Sequence, residues 1–347
     1  MANRPDYWKR RFERQQALLL SRGEVTLGEM DRQYERALRE ITTEIERWYA
    51  RFADNNAITM TEARRLLSTR ELAEFRWDVK EYIARGKENS VNGAWIKELE
   101  NASARVHISR LEVLRLQIQD HAEVLYGNQV DGLERAARAI YTDGYYRTAF
   151  EIQSGLAVGW KLSLLNDDLV NRVIRSPWSP DGRDFRAKCW TAKEQLVNTL
   201  HNELTQMIIR GEAPDRAIRA VSQKMGVAKN AAGRLIMTES AYFASASQEK
   251  AFKDLGVDEY QIIATLDSKT SEICQSLDGK VLPMRDFQAG VTAPPFHPWC
   301  RTVTAPYFAD EDDPMTRIAR GPDGKTYPVP GGMTYKDWYS QFVSKQR

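Results

Sequence analysis

Large apolar side chains recur at alternating spacings of four and three residues in the segment 27–52. The repeat consists of Tyr34, Leu38, Ile41, Ile45, Trp48 and Phe52. This heptad spacing places these side chains along one side of an α-helix, where they pack against another helix. A second seam of the same kind consists of His107, Leu111, Leu114, Ile118, His121 and Leu125. The two seams predict a helical N-terminal region, and both histidines are expected to pack beside its apolar interface.

Glycine, proline and capping residues divide the rest of the helical pattern. We expect helices over 5–22 (ended by Gly23), 59–83 (opened by Thr59 with Glu62) and 94–126 (ended by Gly127). Further helices are predicted over 131–155, 159–175, 185–209, 214–225 and 228–255, the last three closed by Gly211, Gly226 and Gly256. The turn-rich segment 176–185 is the predicted domain boundary.

The character of the sequence changes after residue 257. Strands are predicted over 259–266, 280–282 and 302–307, with Asp278 and Gly279 forming a hairpin turn in which Gly279 takes a positive φ. The predicted fold class is mainly α, with a helical N-terminal region of heptad-like helices followed by an α+β domain that carries a small β-element. The predicted regions are 1–175, a helical arm or bundle that binds a partner, 176–308, and 309–347, an acidic linker and an amphipathic helix capped by Thr334.

Charge and cysteine content exclude several classes of protein. The 347 residues include 50 Lys+Arg and 48 Asp+Glu, a formal charge of +2, which argues against a protein that binds nucleic acid by neutralising many phosphates. The 3 cysteines give no disulfide framework. No secretion signal is visible, and no apolar segment approaches the roughly 20 residues of a transmembrane helix. We therefore expect a cytoplasmic setting without membrane contact.

Two cysteines and a histidine lie close together in the segment 267–301. Cys274, His297 and Cys300 are the ligand types that zinc prefers, and Asp267 or a water molecule is the predicted fourth ligand. The other interpretation treats the cysteines as small buried hydrophobic residues and has His297 hydrogen-bonded to the backbone. If a metal is bound, we expect a structural role for it. Cys189 matches no ligand spacing and is predicted to pack in the core.

The sequence lacks the motifs of several well-known classes of protein. The motifs of zinc deaminases, HExxH metalloproteases, serine hydrolases and P-loop proteins are absent from the sequence. A thiol nucleophile beside His297, oriented by Asp267 or Glu239, is the remaining catalytic alternative. Arg234 and Thr238 share a helix face, and with Glu239 they form either a polar cluster for a partner or ordinary ion pairs within the domain.

The second half of the chain contains a series of short motifs in a fixed order. They are Trp178, Asp181-Gly182, Phe185-Arg186, Trp190, Asn230, Arg234 to Glu239 (with Thr238), Asp267, Thr270, Cys274, Leu277 to Val281 (with Asp278 and Gly279), Pro294 to Pro298, and Cys300-Arg301. In these motifs, residues 176–308 resemble the phage Mu F-like family of head-morphogenesis or minor capsid proteins. The sequence departs from the family pattern at Ser271 and Thr302, where relatives are expected to carry further cysteines. A complete four-cysteine metal site is therefore not expected.

The resemblance implies a minor capsid protein of a tailed bacteriophage that is not an enzyme. Such a protein associates with the portal, and with scaffold or major capsid protein, and stays inside the virion head after assembly in the host cytoplasm. It acts in procapsid assembly, DNA packaging or ejection, and weak contact with packaged DNA stays open. The alternatives are an enzyme or toxin-like effector with a Cys/His or zinc-centred C-terminal site, and a general helical adaptor.

Overall fold

The computed structural model describes residues 5–52, 60–88, 93–156 and 164–308, together with 317–320, 326–329, 333–334, 337 and 341. In chain order the described helices are α1 (Pro5–Phe52), α2 (Met60–Ala63), α3 (Thr69–Glu88), α4 (Gly93–Ala104), α5 (Arg110–Leu156), α6 (Asp167–Arg175), α7 (Phe185–Ile209), α8 (Pro214–Asp254) and α9 (Glu272–Leu277). The described strands are β1 (Glu259–Ile263), β2 (Val281–Pro283), β3 (Val303–Tyr307), β4 (Arg317–Arg320) and β5 (Thr326–Val329). The predicted fold class, mainly α with a small β-element near the C-terminus, is confirmed.

The chain forms two compact units, and each is assembled from separated segments. Unit 1 is drawn from Met1–Thr26, Glu134–Gly182 and Arg234–Arg347, and unit 2 from Leu27–Leu133 and Arg183–Gly233. Helices α1, α5 and α8 therefore contribute residues to both units. The division into regions 1–175, 176–308 and 309–347, with a separate role for each, stays a prediction.

The core of unit 1 joins a small sheet to three helices. The strand order is β2-β1-β3, with both neighbours antiparallel to β1, which places Tyr260 opposite Leu282 on one side and Pro306 on the other. Trp8 and Phe12 of α1 share a buried apolar cluster with residues of α5, α8, β1 and β3. The ring of Trp8 also lies 5.8 Å from that of Phe308. The three predicted strands are confirmed to within a few residues.

The part of unit 1 that follows Phe308 contains a hairpin that the sequence did not predict. Strands β4 and β5 pair antiparallel, and Val329 and Met333 share an apolar cluster with Leu266. Thr334 and Asp337 exchange hydrogen bonds between side chain and backbone, which is the pattern of a helix N-terminus. The predicted acidic linker and most of the final helix lie outside the described residues.

The heptad seam of α1 is buried inside unit 2. Tyr34, Ile41, Ile45, Trp48 and Phe52 are all buried within this single chain. The indole nitrogen of Trp48 donates a 2.6 Å hydrogen bond to Gln117 of α5. The seam thus packs against a helix of the same chain. A partner that binds this region would contact faces of α1 other than the seam.

Three predicted helix ends at glycine are wrong. Helix α1 runs through Gly23, α5 through Gly127 and α8 through Gly226. A single glycine costs a helix only about 1 kcal/mol relative to alanine, so the packing of a long helix outweighs it. At Gly211 and Gly256 the prediction is confirmed, because both have positive φ (66° and 67°) just after α7 and α8.

Two predicted helices are each interrupted, and a serine capping box opens the second part of each. The predicted helix 94–126 breaks between α4 and α5, and Ser109 caps α5 by exchanging hydrogen bonds with Glu112. His107 consequently lies exposed in the break rather than in the seam. The helix predicted over 59–83 likewise divides into α2, which begins at Met60 directly after Thr59, and α3, before which Ser68 and Glu71 form an equivalent box. Thr59 itself lies outside the described residues. The first part of the predicted helix 159–175 likewise lies outside the described residues, and α6 covers the rest.

A buried arginine holds the start of α5 against its neighbours in unit 2. Arg110 donates to Glu71 at 3.0 Å, to Glu62 at 3.2 Å and to the carbonyl of Arg51 at 2.9 Å. This network links α1, α2, α3 and α5 through one guanidinium group. Among the described helices, none is both long enough and apolar enough to cross a membrane.

Candidate metal centre

The site lies where α9 and the loop before β3 meet. Ser271 caps α9, its hydroxyl accepting a 3.3 Å hydrogen bond from the backbone N–H of Cys274. The loop returns through His297 to Cys300, whose N–H donates to the carbonyl of His297 at 3.2 Å. Trp299 between them takes a positive φ of 63°, which bends the loop so that residues three apart can converge.

Three side chains from two segments, α9 and the loop before β3, converge here. The Sγ atom of Cys274 lies 3.2 Å from Nε2 of His297 and 3.8 Å from Sγ of Cys300. The three possible ligand atoms all lie within 4.8 Å of one another. Both cysteines are 1% exposed, whereas His297 is half-buried. Ala264 and Phe296 complete a small apolar cluster around the thiols.

The tautomer of His297 follows from its backbone contact. Nδ1 lies 2.7 Å from the carbonyl oxygen of Pro298, which can only accept a hydrogen bond. Nδ1 therefore carries the proton, and the lone pair of Nε2 faces Cys274. A histidine that binds a metal is usually oriented in this way, with its second nitrogen donating to a carbonyl or carboxylate.

The two thiols share their protons unequally. A hydrogen bond from the Cys274 thiol lowers the pKa of Cys300 from its ordinary value to about 6. The same bond, together with burial, raises the pKa of Cys274. The pair thus holds one thiolate near neutral pH, and the thiolate is the form of cysteine that binds metals.

Asp267 lies outside this cluster, although the sequence predicts it as an alternative fourth ligand. Its two carboxylate oxygens accept hydrogen bonds of 2.5 and 2.8 Å from the guanidinium group of Arg301. The N–H of Lys269 and the hydroxyl of Thr270 donate to Oδ1 of the same carboxylate. Burial raises the pKa of Asp267, but Arg301, Lys269 and Thr270 together outweigh burial and leave the pKa below the ordinary value.

Asp278 and Gly279 join α9 to β2 and tie both to the central strand. The carboxylate of Asp278 accepts a 2.8 Å hydrogen bond from the N–H of Ala264. Gly279 takes the predicted positive φ, 80°, and its N–H donates to the carbonyl of Ile262 at 2.8 Å. The turn therefore connects a short helix to a strand rather than two strands, and Asp278 serves as a backbone anchor.

The remaining motif residues form a second polar contact in unit 1. The indole nitrogen of Trp178 donates a 2.9 Å hydrogen bond to the buried Glu239, and the Trp178 ring stacks on Tyr242 at 4.7 Å. Arg234 is exposed, and its carbonyl accepts a 2.7 Å hydrogen bond from the hydroxyl of Thr238. The role of these residues as a polar cluster for a partner stays a prediction.

Part of the amino-acid sequence around this site matches a known protein family. Residues 198–305 match the family model described as Phage Mu protein F like protein. The predicted resemblance is thereby confirmed over this segment, which begins within α7 and ends within β3. Neither the curated proteins nor the solved structures contain a match to the chain.

The Mu F-like segment includes both parts of the candidate centre. Cys274, His297 and Cys300 lie inside the matched range, as do Asp267 and Arg301. Trp178 lies before it, so the contact between Trp178 and Glu239 attaches the preceding turn to the matched segment. The match supports a head-morphogenesis protein of a bacteriophage in general.

Two residues of the site were not predicted as parts of it. Thr302, noted only as a departure from the family, is buried, and its side chain lowers the pKa of both thiols. Ser271, noted for the same reason, caps α9. A serine three residues before the helix position of Cys274 is a readable N-cap signal, whereas nothing in the sequence indicates the contact of Thr302 with the thiols.

Proposed function

We propose that this chain is a minor capsid protein of a tailed bacteriophage, bound to the portal during assembly and retained inside the head. The match of residues 198–305 carries this proposal. The near-neutral charge of +2 agrees with a protein that acts through contacts with other proteins rather than by coating DNA. Its role lies in procapsid assembly, DNA packaging or ejection, and only weak contact with packaged DNA is expected.

The portal proposal is best tested with the full chain. A cut at residue 175 places parts of each compact unit on two different fragments. Such fragments are therefore unsuited to a binding assay. We expect the intact chain, co-expressed with the portal protein of the same phage, to co-purify with the portal ring. Co-expression with major capsid protein and with scaffold, each alone, gives the matched comparison. A chain that binds none of them contradicts the proposal and favours the general adaptor.

The location inside the head has a separate test. Intact virions treated with protease are expected to retain the full-length chain, because the closed capsid shields it. Opened particles of the same preparation provide the control in which the chain is cleaved. Absence of the chain from purified virions contradicts retention, and cleavage in intact virions contradicts an interior position.

One observation favours an enzyme or toxin-like effector as the second candidate, namely the lowered pKa of Cys300, whose Sγ lies within 4.8 Å of Nε2 of His297. Burial opposes it, because a catalytic thiolate must reach its substrate and Cys300 is 1% exposed. We therefore favour a non-enzymatic role. Alkylation of the native protein by iodoacetamide separates the two: modification of Cys300 before unfolding supports the catalytic candidate, and protection supports the structural one.

A further inference from the structure

We propose that Cys274, His297 and Cys300 bind one zinc ion through Sγ, Nε2 and Sγ, with water as fourth ligand, and that this ion fastens α9 to the loop before β3. This inference goes beyond the proposed role in the phage head and does not depend on it. It rests on the distances, the orientation of the histidine and the position of the competing carboxylate.

The distances between the three ligand atoms agree with tetrahedral zinc. Two thiolates bound at about 2.3 Å lie about 3.8 Å apart in a tetrahedron, and a thiolate and an imidazole nitrogen lie about 3.5 Å apart. The observed separation of the two sulfurs is 3.8 Å, and that of Cys274 Sγ from His297 Nε2 is 3.2 Å. Both separations lie within a few tenths of an ångström of the tetrahedral values, and Nε2 of His297 lies within 4.8 Å of Sγ of Cys300.

The orientation of each ligand is fixed by a separate contact. The carbonyl of Pro298 holds His297 in the tautomer that leaves Nε2 free. Ser271 caps the helix that carries Cys274, and the N–H of Cys300 is bonded to the carbonyl of His297. Such preorganisation lowers the cost of assembling a metal site, because the ligands do not have to be ordered when the ion arrives.

Charge and chemistry favour zinc with water as the fourth ligand. Two thiolates balance the charge of a divalent ion, and thiolate with imidazole selects zinc over magnesium or calcium. Asp267 is held by Arg301, so its carboxylate does not complete the site. His297 is half-buried, and water can reach the site from its side.

Such an ion would stabilise the local structure around α9. Helix α9 has six residues, far fewer than an isolated helix needs to be stable, and Ile273 within it is 51% exposed. The apolar contacts joining Cys274 to the loop consist of the small cluster with Ala264, Cys300 and Phe296. A bond from Cys274 to an ion shared with His297 and Cys300 would anchor α9 directly.

A disulfide between Cys274 and Cys300 is the competing use of the same thiols. Its sulfurs would have to approach from 3.8 Å to about 2.05 Å. The bond would also leave His297 without a role, although its Nε2 lone pair faces Cys274. The experiment must therefore distinguish metal binding from oxidation.

The test uses the full chain purified in reducing buffer without chelator, with metal measured by mass spectrometry. We expect about one zinc per chain in the wild type and at least a tenfold loss in Cys274→Ser and Cys300→Ser. The matched control is Cys189→Ser, because Cys189 is equally buried but lies in unit 2, where its sulfur accepts a hydrogen bond from Gln129. This variant is expected to keep its zinc.

Two further measurements keep the test valid if a serine variant fails to fold. His297→Cys supplies a third thiolate and is expected to retain zinc, whereas His297→Ala is expected to lose it. Wild-type protein stripped by chelator and given Co²⁺ is expected to show thiolate-to-cobalt charge transfer. The proposal is overturned if reduced wild type binds neither zinc nor cobalt, or if peptide mapping finds a Cys274–Cys300 disulfide in metal-free native protein.

Discussion

The indole nitrogen of Trp178 donates a 2.9 Å hydrogen bond to Oε2 of Glu239, a carboxylate that is 2% exposed. The same indole stacks nearly parallel on Tyr242, at an interplanar angle of 8°. The turn that precedes α7 is thus attached to α8 by one polar and one aromatic contact, and each can be removed separately.

We expect Trp178→Phe to lower the free energy of unfolding by about 1–3 kcal/mol, because it removes a donor from a buried carboxylate and keeps an aromatic ring for Tyr242. Urea denaturation measures the change. Trp77→Phe is the matched control, since Trp77 is 64% exposed and its replacement should change stability by less than about 0.5 kcal/mol. Equal effects of the two substitutions would contradict the role assigned to Trp178.

The ion pair of Asp267 with Arg301 predicts a specific pH dependence. The folded-state pKa of Asp267 is lower than the ordinary value, so its stabilising contribution is present above the unfolded-state pKa of about 3.9 and is lost as pH falls through the folded-state pKa. Asp267→Asn lacks this contribution. The difference in unfolding free energy between wild type and Asp267→Asn should therefore be constant from about pH 5 to 7 and shrink in more acidic solution.

Chemical denaturation at a series of pH values measures this difference. Asp286→Asn serves as control, because the side chain of Asp286 is 54% exposed in its ion-pair contact with Arg285 and contributes little. A difference for Asp267→Asn that grows as the solution becomes more acidic would have the wrong sign for a depressed pKa.

Two glycines of α1 are expected to respond oppositely to alanine. A Cβ atom at Gly23 would lie 2.4 Å from Oγ and 2.9 Å from Cβ of Ser240, whereas at Gly28 the nearest atom is 4.0 Å away. Gly28→Ala should raise the unfolding free energy by up to about 1 kcal/mol through helix propensity. Gly23→Ala should lower it by about 1–3 kcal/mol, because the helix must shift to relieve the overlap.

Thermal denaturation of both variants provides the measurement. A double variant, Gly23→Ala with Ser240→Gly, removes the overlapping atoms and should recover part of the loss. A stabilising effect of Gly23→Ala alone would show that α1 and α8 approach less closely at this point than the structure indicates.

Arg110 should be among the most sensitive residues of unit 2. Arg110→Ala leaves the carboxylates of Glu62 and Glu71 and the carbonyl of Arg51 without this donor, and we expect a loss of about 3–5 kcal/mol. Arg110→Lys should recover only part, because a point charge cannot reproduce the three directed bonds. Arg105→Ala is the control, since its ion pair with Glu112 is exposed and should be worth less than about 1 kcal/mol. Equilibrium unfolding of the three variants measures these losses of stability, which should be largest for Arg110→Ala and smallest for Arg105→Ala.

The elements that sequence predicted well are those whose signal is local and repeated. Strands β1 and β3 have the composition of strands over five residues each, and the seam of α1 repeats over several turns. The capping boxes at Ser68 and Ser109 are equally local, but the apolar spacing on either side of Ser109 continues across the break and concealed it. Periodicity alone therefore joined two helices that a cap separates.

What the sequence did not predict depends on distant partners. Gly23 was expected to end a helix, but it is the position where Ser240 approaches, and no local pattern reveals a residue so far along the chain. Likewise, Cys274, His297 and Cys300 could be grouped by their chemistry. The sequence alone does not show whether Asp267 binds a metal or pairs with Arg301, and the fold places the guanidinium group of Arg301 beside it.

Unit 1 combines the first turns of α1 with strands near the far end of the chain, and this governs the order in which it can fold during synthesis. Trp8 and Phe12 are synthesised well before the residues they pack with, which include Phe252, Tyr260, Val303 and Phe308. Contacts of such wide sequence separation form slowly, and the apolar face of the first helix stays uncovered in the meantime. Chains that stop before β3 should consequently aggregate or bind chaperones. Synthesis through β3 is therefore expected to be required for soluble protein.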